Sequence, residues 1–112
     1  GAIAQGVGQA LLEQAIYDPE TGQPATASFL EYPLPRADHL PPISLSFNGS
    51  PCTTNPLGVK GCGEAGAVAA FPAIANAIED ALSVYGDVRI TGAATPHRIW
   101  RAIQAASADR LK

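Results

Sequence analysis

Charge is scarce in this sequence: only 15% of its 112 residues are Asp, Glu, Lys or Arg. A small free-standing domain has much surface for its volume and normally carries more charge. The shortage predicts surface that something else covers. A basic excess is also missing, since the net charge is −3. With no basic patch, nucleic acid is excluded as the main partner. Methionine is absent and the chain opens on Gly1, so we expect a piece of a longer product. No apolar run reads as long enough to span a bilayer, and no cleavable signal pattern is visible. The two cysteines, Cys52 and Cys62, are spaced too widely for a zinc or thioredoxin-type motif, and no paired histidine stands nearby. Cys62, between Gly61 and Gly63, reads as a small residue in a tight loop; a disulfide to Cys52 is the alternative. His39 and His97 lie in unrelated contexts, neither beside a nucleophile motif.

What is present is 46% hydrophobic residues, enough for one core, with 11 glycines and 10 prolines. The length sets one domain at most, or part of one. Gly1 to Tyr17 predicts a helix, with Ile3, Val7, Leu11 and Ala15 on one stripe. Gly1, Gly6 and Gly8 crowd its first half, at a cost of about 1 kcal/mol each relative to alanine. Close approach of a neighbouring backbone or of a ligand would compensate, and plain helix packing is the equal alternative. Gln5 sits in this half, either facing solvent or donating to a ligand oxygen. Asp18 to Pro24 is a turn. Ala25 to Tyr32 predicts a strand, Pro33 to Pro42 an extended proline-rich crossing, and Ile43 to Asn48 a half-buried strand. From Glu64 the chain turns helical. Pro72 is expected to break that helix near Phe71 and to start a second one, whose buried stripe is Phe71, Ile74, Ile78, Leu82 and Tyr85 and whose end is Gly86. Asp87 to Thr91 predicts a short strand. Thr95 caps a last helix opened by Pro96, with Ile99, Ile103 and Ala106 inward. Ser107 to Lys112 reads as a polar tail. The fold class is α+β: three main helices with short strands and no regular βαβ alternation.

The chemistry concentrates in Asn55 to Gly66, a glycine-rich loop that runs into a helix start. Gly61-Cys62-Gly63-Glu64-Ala65-Gly66 spells the dinucleotide fingerprint G-x-G-x-x-G. Its context is wrong. Leu57 to Lys60 makes a poor strand, no acidic residue follows the next strand, and a carboxylate inside the loop would repel a pyrophosphate. A nucleotide-binding reading requires a strand over Leu57 to Lys60. The other acidic residues, Asp18, Glu20, Glu31, Asp38, Glu79 and Asp80, read as turn and surface charges. Glu64 differs, because glycines flank it on both sides and Lys60 is close in sequence. Two readings stand side by side: a general base held by a rigid loop, or a carboxylate favoured by the positive end of a helix.

The loop Asn55-Pro56-Leu57-Gly58-Val59-Lys60-Gly61-Cys62-Gly63-Glu64-Ala65-Gly66 resembles one near the C-terminus of the molybdenum hydroxylases, the xanthine oxidase family. The similarity is greatest to the large subunits of the carbon monoxide dehydrogenase-like and aldehyde dehydrogenase-like branch. Gly1 to Leu11 resembles the family's glycine-rich helix beside the cofactor, and Phe29 to Ala37 its connecting segment. Thr91-Gly92, Thr95-Pro96 and Trp100 to Ile103 resemble its last strand and helix. The resemblance covers nearly the whole chain and implies that residues 1–112 are a C-terminal fragment of a molybdenum cofactor-binding domain. The implied cofactor is molybdenum–molybdopterin in its cytosine dinucleotide form, with iron–sulfur and flavin (FAD) centres on other subunits or domains. Glu64 aligns with the family's glutamate and would act as the general base while a water-derived oxygen is inserted at an electrophilic carbon of an aldehyde, an N-heterocycle or carbon monoxide. Gly61, Cys62 and Gly63 would set backbone groups against the molybdenum site, and Gln5 would approach the pterin. No side chain is implied as a direct molybdenum ligand. The partners implied are the rest of the same large subunit and the iron–sulfur and flavin subunits, in the bacterial cytoplasm. The fragment would not be active alone. A non-catalytic binding module with the same fold is the alternative.

Overall fold

The computed structural model describes residues 1–109, which form three α-helices joined by long irregular segments. Helix α1 is Ala2–Leu11, α2 is Ala65–Leu82 and α3 is Pro96–Asp109, with 3-10 turns at Ala37–His39 and Ser83–Tyr85. The last part of the expected polar tail, beyond residue 109, lies outside the described residues.

Helices α1 and α2 pack side by side and run in the same direction. Gly66 faces Ala2 and Ile3, and Gly6 faces Ala67 and Ala70. Further along, Ala10 shares a small enclosed space with Phe71, Ala75 and Ile78. A Cβ placed on Gly6 would lie 2.7 Å from the Ala70 Cβ and 3.0 Å from the Ala67 carbonyl oxygen. The glycine at that point is therefore required by the close approach of the α2 backbone, the neighbouring-backbone alternative that the sequence offered. The modest core sits at the far end of this pair. It consists of Ala10, Leu82, Val88, Ala93 and Ala94, and the Ala94 amide donates to the Ala10 carbonyl at 2.6 Å.

Pro72 does not divide α2. The helix runs unbroken from Ala65 to Leu82 with Pro72 inside it. An interior proline costs a helix about 3 kcal/mol, and the contacts of Ala67, Ala70, Phe71 and Ala75 with α1 on both sides of it hold the helix together. The predicted stripe faces inward: Leu82 is buried and Phe71, Ile74, Ile78 and Tyr85 are half-buried. Gly86 ends the helical region at φ 118°. Thr95 caps α3 as expected, its Oγ1 accepting from the Arg98 amide at 3.4 Å, and Ile99, Ile103 and Ala106 are half-buried.

The strands are not there. Among the described residues the sole β feature is an isolated antiparallel bridge between Tyr17 and Pro24, so the α+β class is corrected to helical. Ser28 closes a turn inside Ala25 to Tyr32: its carbonyl accepts from the Tyr32 amide at 2.8 Å and its hydroxyl from the Leu30 amide at 3.2 Å. A serine that offers the backbone a local partner competes with a ladder. Ile43 to Asn48 is irregular with no partner, and Phe47 is 91% exposed. Asp87 to Thr91 likewise stays unpaired, although Val88 is buried. Helix α1 also ends earlier than its apolar pattern, at Leu11 rather than Tyr17. The following residues are captured by tertiary bonds: Ile16 exchanges bonds with Ala25 and Thr26, and Glu13 accepts from the Tyr32 hydroxyl at 2.9 Å. The proline-rich crossing contains one 3-10 turn at Ala37–His39.

The radius of gyration is 18.6 Å, whereas a compact chain of this length has about 13 Å. No large side chain is fully buried among the described residues, and Phe29, Leu30, Phe47 and Leu57 are more than four-fifths exposed. The scarcity of charge and this open apolar surface go together. By length and composition alone, Ala65–Tyr85 is apolar enough to cross a bilayer, which corrects the expectation that no run here is. One face of that helix packs on α1, and Glu79 near its end meets Arg89 at 3.9 Å.

Candidate functional site

The glycine loop is anchored at one end and free at the other. Asn55 grips Val59 in both directions: its Oδ1 accepts from the Val59 amide at 3.2 Å and its Nδ2 donates to the Val59 carbonyl at 3.0 Å. Gly58 turns the chain at φ 65°, a conformation that favours glycine. Its carbonyl accepts from the Cys52 amide at 2.9 Å and its amide donates to the Asn55 carbonyl at 3.2 Å. Lys60 Nζ donates to Ser50 Oγ at 3.0 Å, so it braces the loop from behind. Leu57 to Lys60 forms no strand, which removes the nucleotide-binding reading. Cys52 and Cys62 are both free thiols. Hydrogen bonding from Thr54, whose Oγ1 lies 3.1 Å from Cys52 Sγ, holds that thiol below its usual range.

Beyond this anchor, Gly61, Cys62 and Gly63 are exposed, and a Cβ on either glycine would meet nothing within 4 Å. Among the described residues, the backbone amides of Gly61, Cys62, Gly63 and Glu64 donate to no other backbone group. Glu64 occupies the N-cap position of α2 at φ −110°, ψ 3° and makes no capping bond with its side chain. Nor does its carboxylate enter an ion pair among the described residues. It is an exposed carboxylate at the positive end of an 18-residue helix.

Two cavities meet at Glu64. One, of about 590 Å³, is bounded by Gly61, Cys62, Gly63, Glu64 and Ala65. The other, of about 400 Å³, runs between α1 and α2 and is lined by Gln5, Gln9, Glu64, Val68, Phe71 and Pro72. Glu64 lines both. The structure thus brings together all five residues singled out in the sequence, Gln5, Gly61, Cys62, Gly63 and Glu64, around one carboxylate. Two participants escaped sequence reading. Gln9 lies four positions after Gln5, on the same helix face, and that spacing was the available signal. Asn55 read only as the start of a turn. The other charged residues lie elsewhere: Asp18 closes its own turn, Asp38 pairs with Arg36 at 3.4 Å, and Glu79 with Arg89. His97 is exposed and stacks on Trp100, ring centroids 6.2 Å apart. No group of three His, Cys, Asp or Glu side chains comes together among the described residues.

Comparison with known proteins gives a consistent set of likenesses. The family model described as molybdopterin cofactor-binding domain matches residues 1–41. The large subunit of nicotine 6-hydroxylase from Paenarthrobacter nicotinovorans is 41% identical over 102 residues, covering 91% of this chain and 12% of that protein. The carbon monoxide dehydrogenase large chain of Afipia carboxidovorans is 31% identical over 101 residues, 90% of this chain and 12% of that protein. Among solved structures, quinoline 2-oxidoreductase from Pseudomonas putida 86 superimposes with a TM-score of 0.83 at 39% identity, covering 93% of this chain and 13% of that one. The chain therefore spans about an eighth of the length of the relatives it matches.

Proposed function

We propose, on the premise that this chain belongs to the molybdenum hydroxylase (xanthine oxidase) family, that it is the C-terminal part of a molybdopterin-binding large subunit in which Glu64 is the general base. The observation that carries this reading is the position of Glu64 where the two cavities meet, with a carboxylate that no neighbour among the described residues uses.

The residues present fit such a cofactor. The glycine loop has open space where side chains would stand, and its amides are free to donate. Oxygens of a pterin or its phosphates are acceptors that such amides suit. Gly61, Cys62 and Gly63 would hold that group from one side, and the Gln5 amide would reach it from α1. When bound, molybdenum–molybdopterin, here in the cytosine dinucleotide form, supplies the two-electron oxidation chemistry. In net terms a C–H bond and water give C–OH, two protons and two electrons. Glu64 takes one of those protons on a carboxylate oxygen. The start of α2 sets the Glu64 backbone beside the loop, and a base held near its proton gains from proximity. The loop's lack of side chains leaves the approach to it unobstructed.

The substrate class we favour is a nitrogen heteroaromatic. Its support is the ranking of identities: 41% to a nicotine hydroxylase large subunit and 39% to a quinoline oxidoreductase, against 31% to a carbon monoxide dehydrogenase. The electrons would leave through iron–sulfur and flavin centres on partner subunits, and the exposed Phe29, Leu30, Phe47 and Leu57 would lie against the remainder of the large subunit. A cytoplasmic location is part of the same proposal. The test is Glu64→Gln in the full-length holoenzyme. Turnover should fall by about 10²–10⁴-fold, with molybdenum and pterin content unchanged. Near-normal turnover at full cofactor content removes the base assignment.

A further inference from the structure

Residues 40–59 contain no Asp, Glu, Lys or Arg. Inside that stretch Ile43, Leu45 and Phe47 alternate with Ser44 and Ser46. Residues 41–50 are all exposed, Leu45 to 71% and Phe47 to 91%. Among the described residues, no amide or carbonyl of residues 41–51 bonds to another backbone group. Pro41 and Pro42 stand before the run and Pro51 after it, with no proline between. Every residue from 43 to 50 therefore keeps an N–H to donate. The run leads straight to the loop before Glu64. Lys60 Nζ donates to Ser50 Oγ at 3.0 Å, and the Cys52 amide donates to the Gly58 carbonyl at 2.9 Å. Both residues that brace the loop from behind, Ser50 and Cys52, thus stand at the end of this run.

We infer that residues 43–48 add as a β-strand to a sheet edge in the part of the large subunit outside this chain, and that this pairing anchors the loop leading to Glu64. The inference rests on that part of the proposed function which makes this chain a piece of a larger subunit. As a strand, residues 43–48 would be about 20 Å long, the usual length of one. The alternation sets Ile43, Leu45 and Phe47 on one face and Ser44 and Ser46 on the other. A free backbone with apolar side chains at every second position is what strand addition uses: main-chain bonds supply affinity and pockets take the alternate side chains. The lack of charge selects the occupant. A strand edge that stays in water is normally guarded by lysine or another charge, and residues 40–59 have none. Between separate chains, charge is depleted at the buried centre of the contact and returns at its rim. Here the depletion runs through the whole stretch, which favours burial within one polypeptide over contact with a partner subunit or a second copy. The chain covers 13% of the quinoline 2-oxidoreductase chain on which it superimposes, so a subunit of that length has ample chain to supply the edge. Pairing there fixes Ser50 and Cys52, and through them Lys60 and Gly58.

The test is hydrogen exchange in the full-length holoenzyme, read residue by residue over Ser44 to Phe47 and at Cys52, with the amides of α2 as internal reference. At least alternate amides of the run should exchange about 100-fold more slowly than in an unstructured chain. That protection should survive separation of the large subunit from its partners and dilution to a monomer. Phe47→Ser should speed exchange across the run and at Cys52 by about tenfold, with α2 unchanged. Unstructured-chain rates over Ser44 to Phe47 in the unmodified holoenzyme overturn the inference. So does protection that disappears on separation or dilution while α2 stays protected, because the edge then belongs to a partner subunit or a second copy. A Cys52 amide indifferent to Phe47→Ser overturns the link to the loop. None of these readouts depends on turnover. Fast exchange in a fully active enzyme removes the pairing alone, whereas a protected run in a purified parent that holds no molybdenum or pterin removes the hydroxylase reading and leaves the pairing.

Discussion

Gly6 and Ala70 set the separation of α1 and α2: a methyl group on Gly6 would stand 2.7 Å from the Ala70 methyl. The contact fixes more than packing, because α1 carries Gln5 and Gln9 while Glu64 stands at the N-cap position of α2. Gly6→Ala gains about 1 kcal/mol of helix propensity and overpacks the crossing, which typically costs 1–3 kcal/mol. The Ala67 carbonyl, 3.0 Å from the same point, is backbone and cannot turn aside. We expect a net loss of roughly 1–2 kcal/mol in urea unfolding. Adding Ala70→Gly should recover part of it. A neutral Gly6→Ala would mean that the helices separate freely.

The loop before the site depends on one side chain. Asn55 satisfies both the amide and the carbonyl of Val59. Asn55→Ala should expose the Val59 amide to hydrogen exchange, whereas Asn55→Asp, which keeps the acceptor, should leave it protected. At this exposed site the stability change should stay near 1 kcal/mol. Equal protection of the Val59 amide in the unmodified and alanine forms would show that the turn holds itself.

The helices were legible in the sequence, and the sheet was not, for one physical reason. A helix satisfies its backbone from within, so the spacing of Phe71, Ile74, Ile78 and Leu82 reveals it even when half its cover is absent. A strand needs a partner. The alternation of Ile43, Leu45 and Phe47 describes a surface meant to be half covered, but nothing among the described residues pairs with it. Pro72 misled because local propensity says nothing of α1, whose small residues Gly6 and Ala10 stabilise the helix on both sides of it. Ile16 misled in the opposite sense: its helical spacing yields to bonds with Ala25 and Thr26 that no local pattern announces. Glu64 drew notice in the sequence because glycines flank it on both sides, and among the described residues its exposed carboxylate makes no capping bond; its role as base is a proposal.

The turn at Asp18 should respond to acid. Its carboxylate accepts from the Thr21 amide at 2.8 Å, the Thr21 hydroxyl at 3.0 Å and the Glu20 amide at 2.9 Å. The Thr21 amide foremost, then its hydroxyl and the Glu20 amide, hold the Asp18 carboxyl below its ordinary value. A depressed carboxylate contributes stability that is fully present above the unfolded value and is lost as pH falls through the folded one. Protection of the Glu20 and Thr21 amides should therefore persist to more acid pH than an ordinary aspartate allows, then collapse. In Asp18→Asn the protection should be weaker and flat across that window. A collapse at the ordinary carboxylate value would show that the turn does not hold the charge.

Pro72 sits inside α2 and lowers its stability. Pro72→Ala restores an N–H to the middle of α2 and gives the Val68 carbonyl its usual partner. An interior proline costs about 3 kcal/mol against alanine, and about 1 kcal/mol of that returns through the stiffer unfolded chain. We expect the variant to be more stable by roughly 1–2 kcal/mol, with a higher melting temperature in the full-length protein. A variant with no stability gain would mean that the residues around Val68 already supply the carbonyl with another donor.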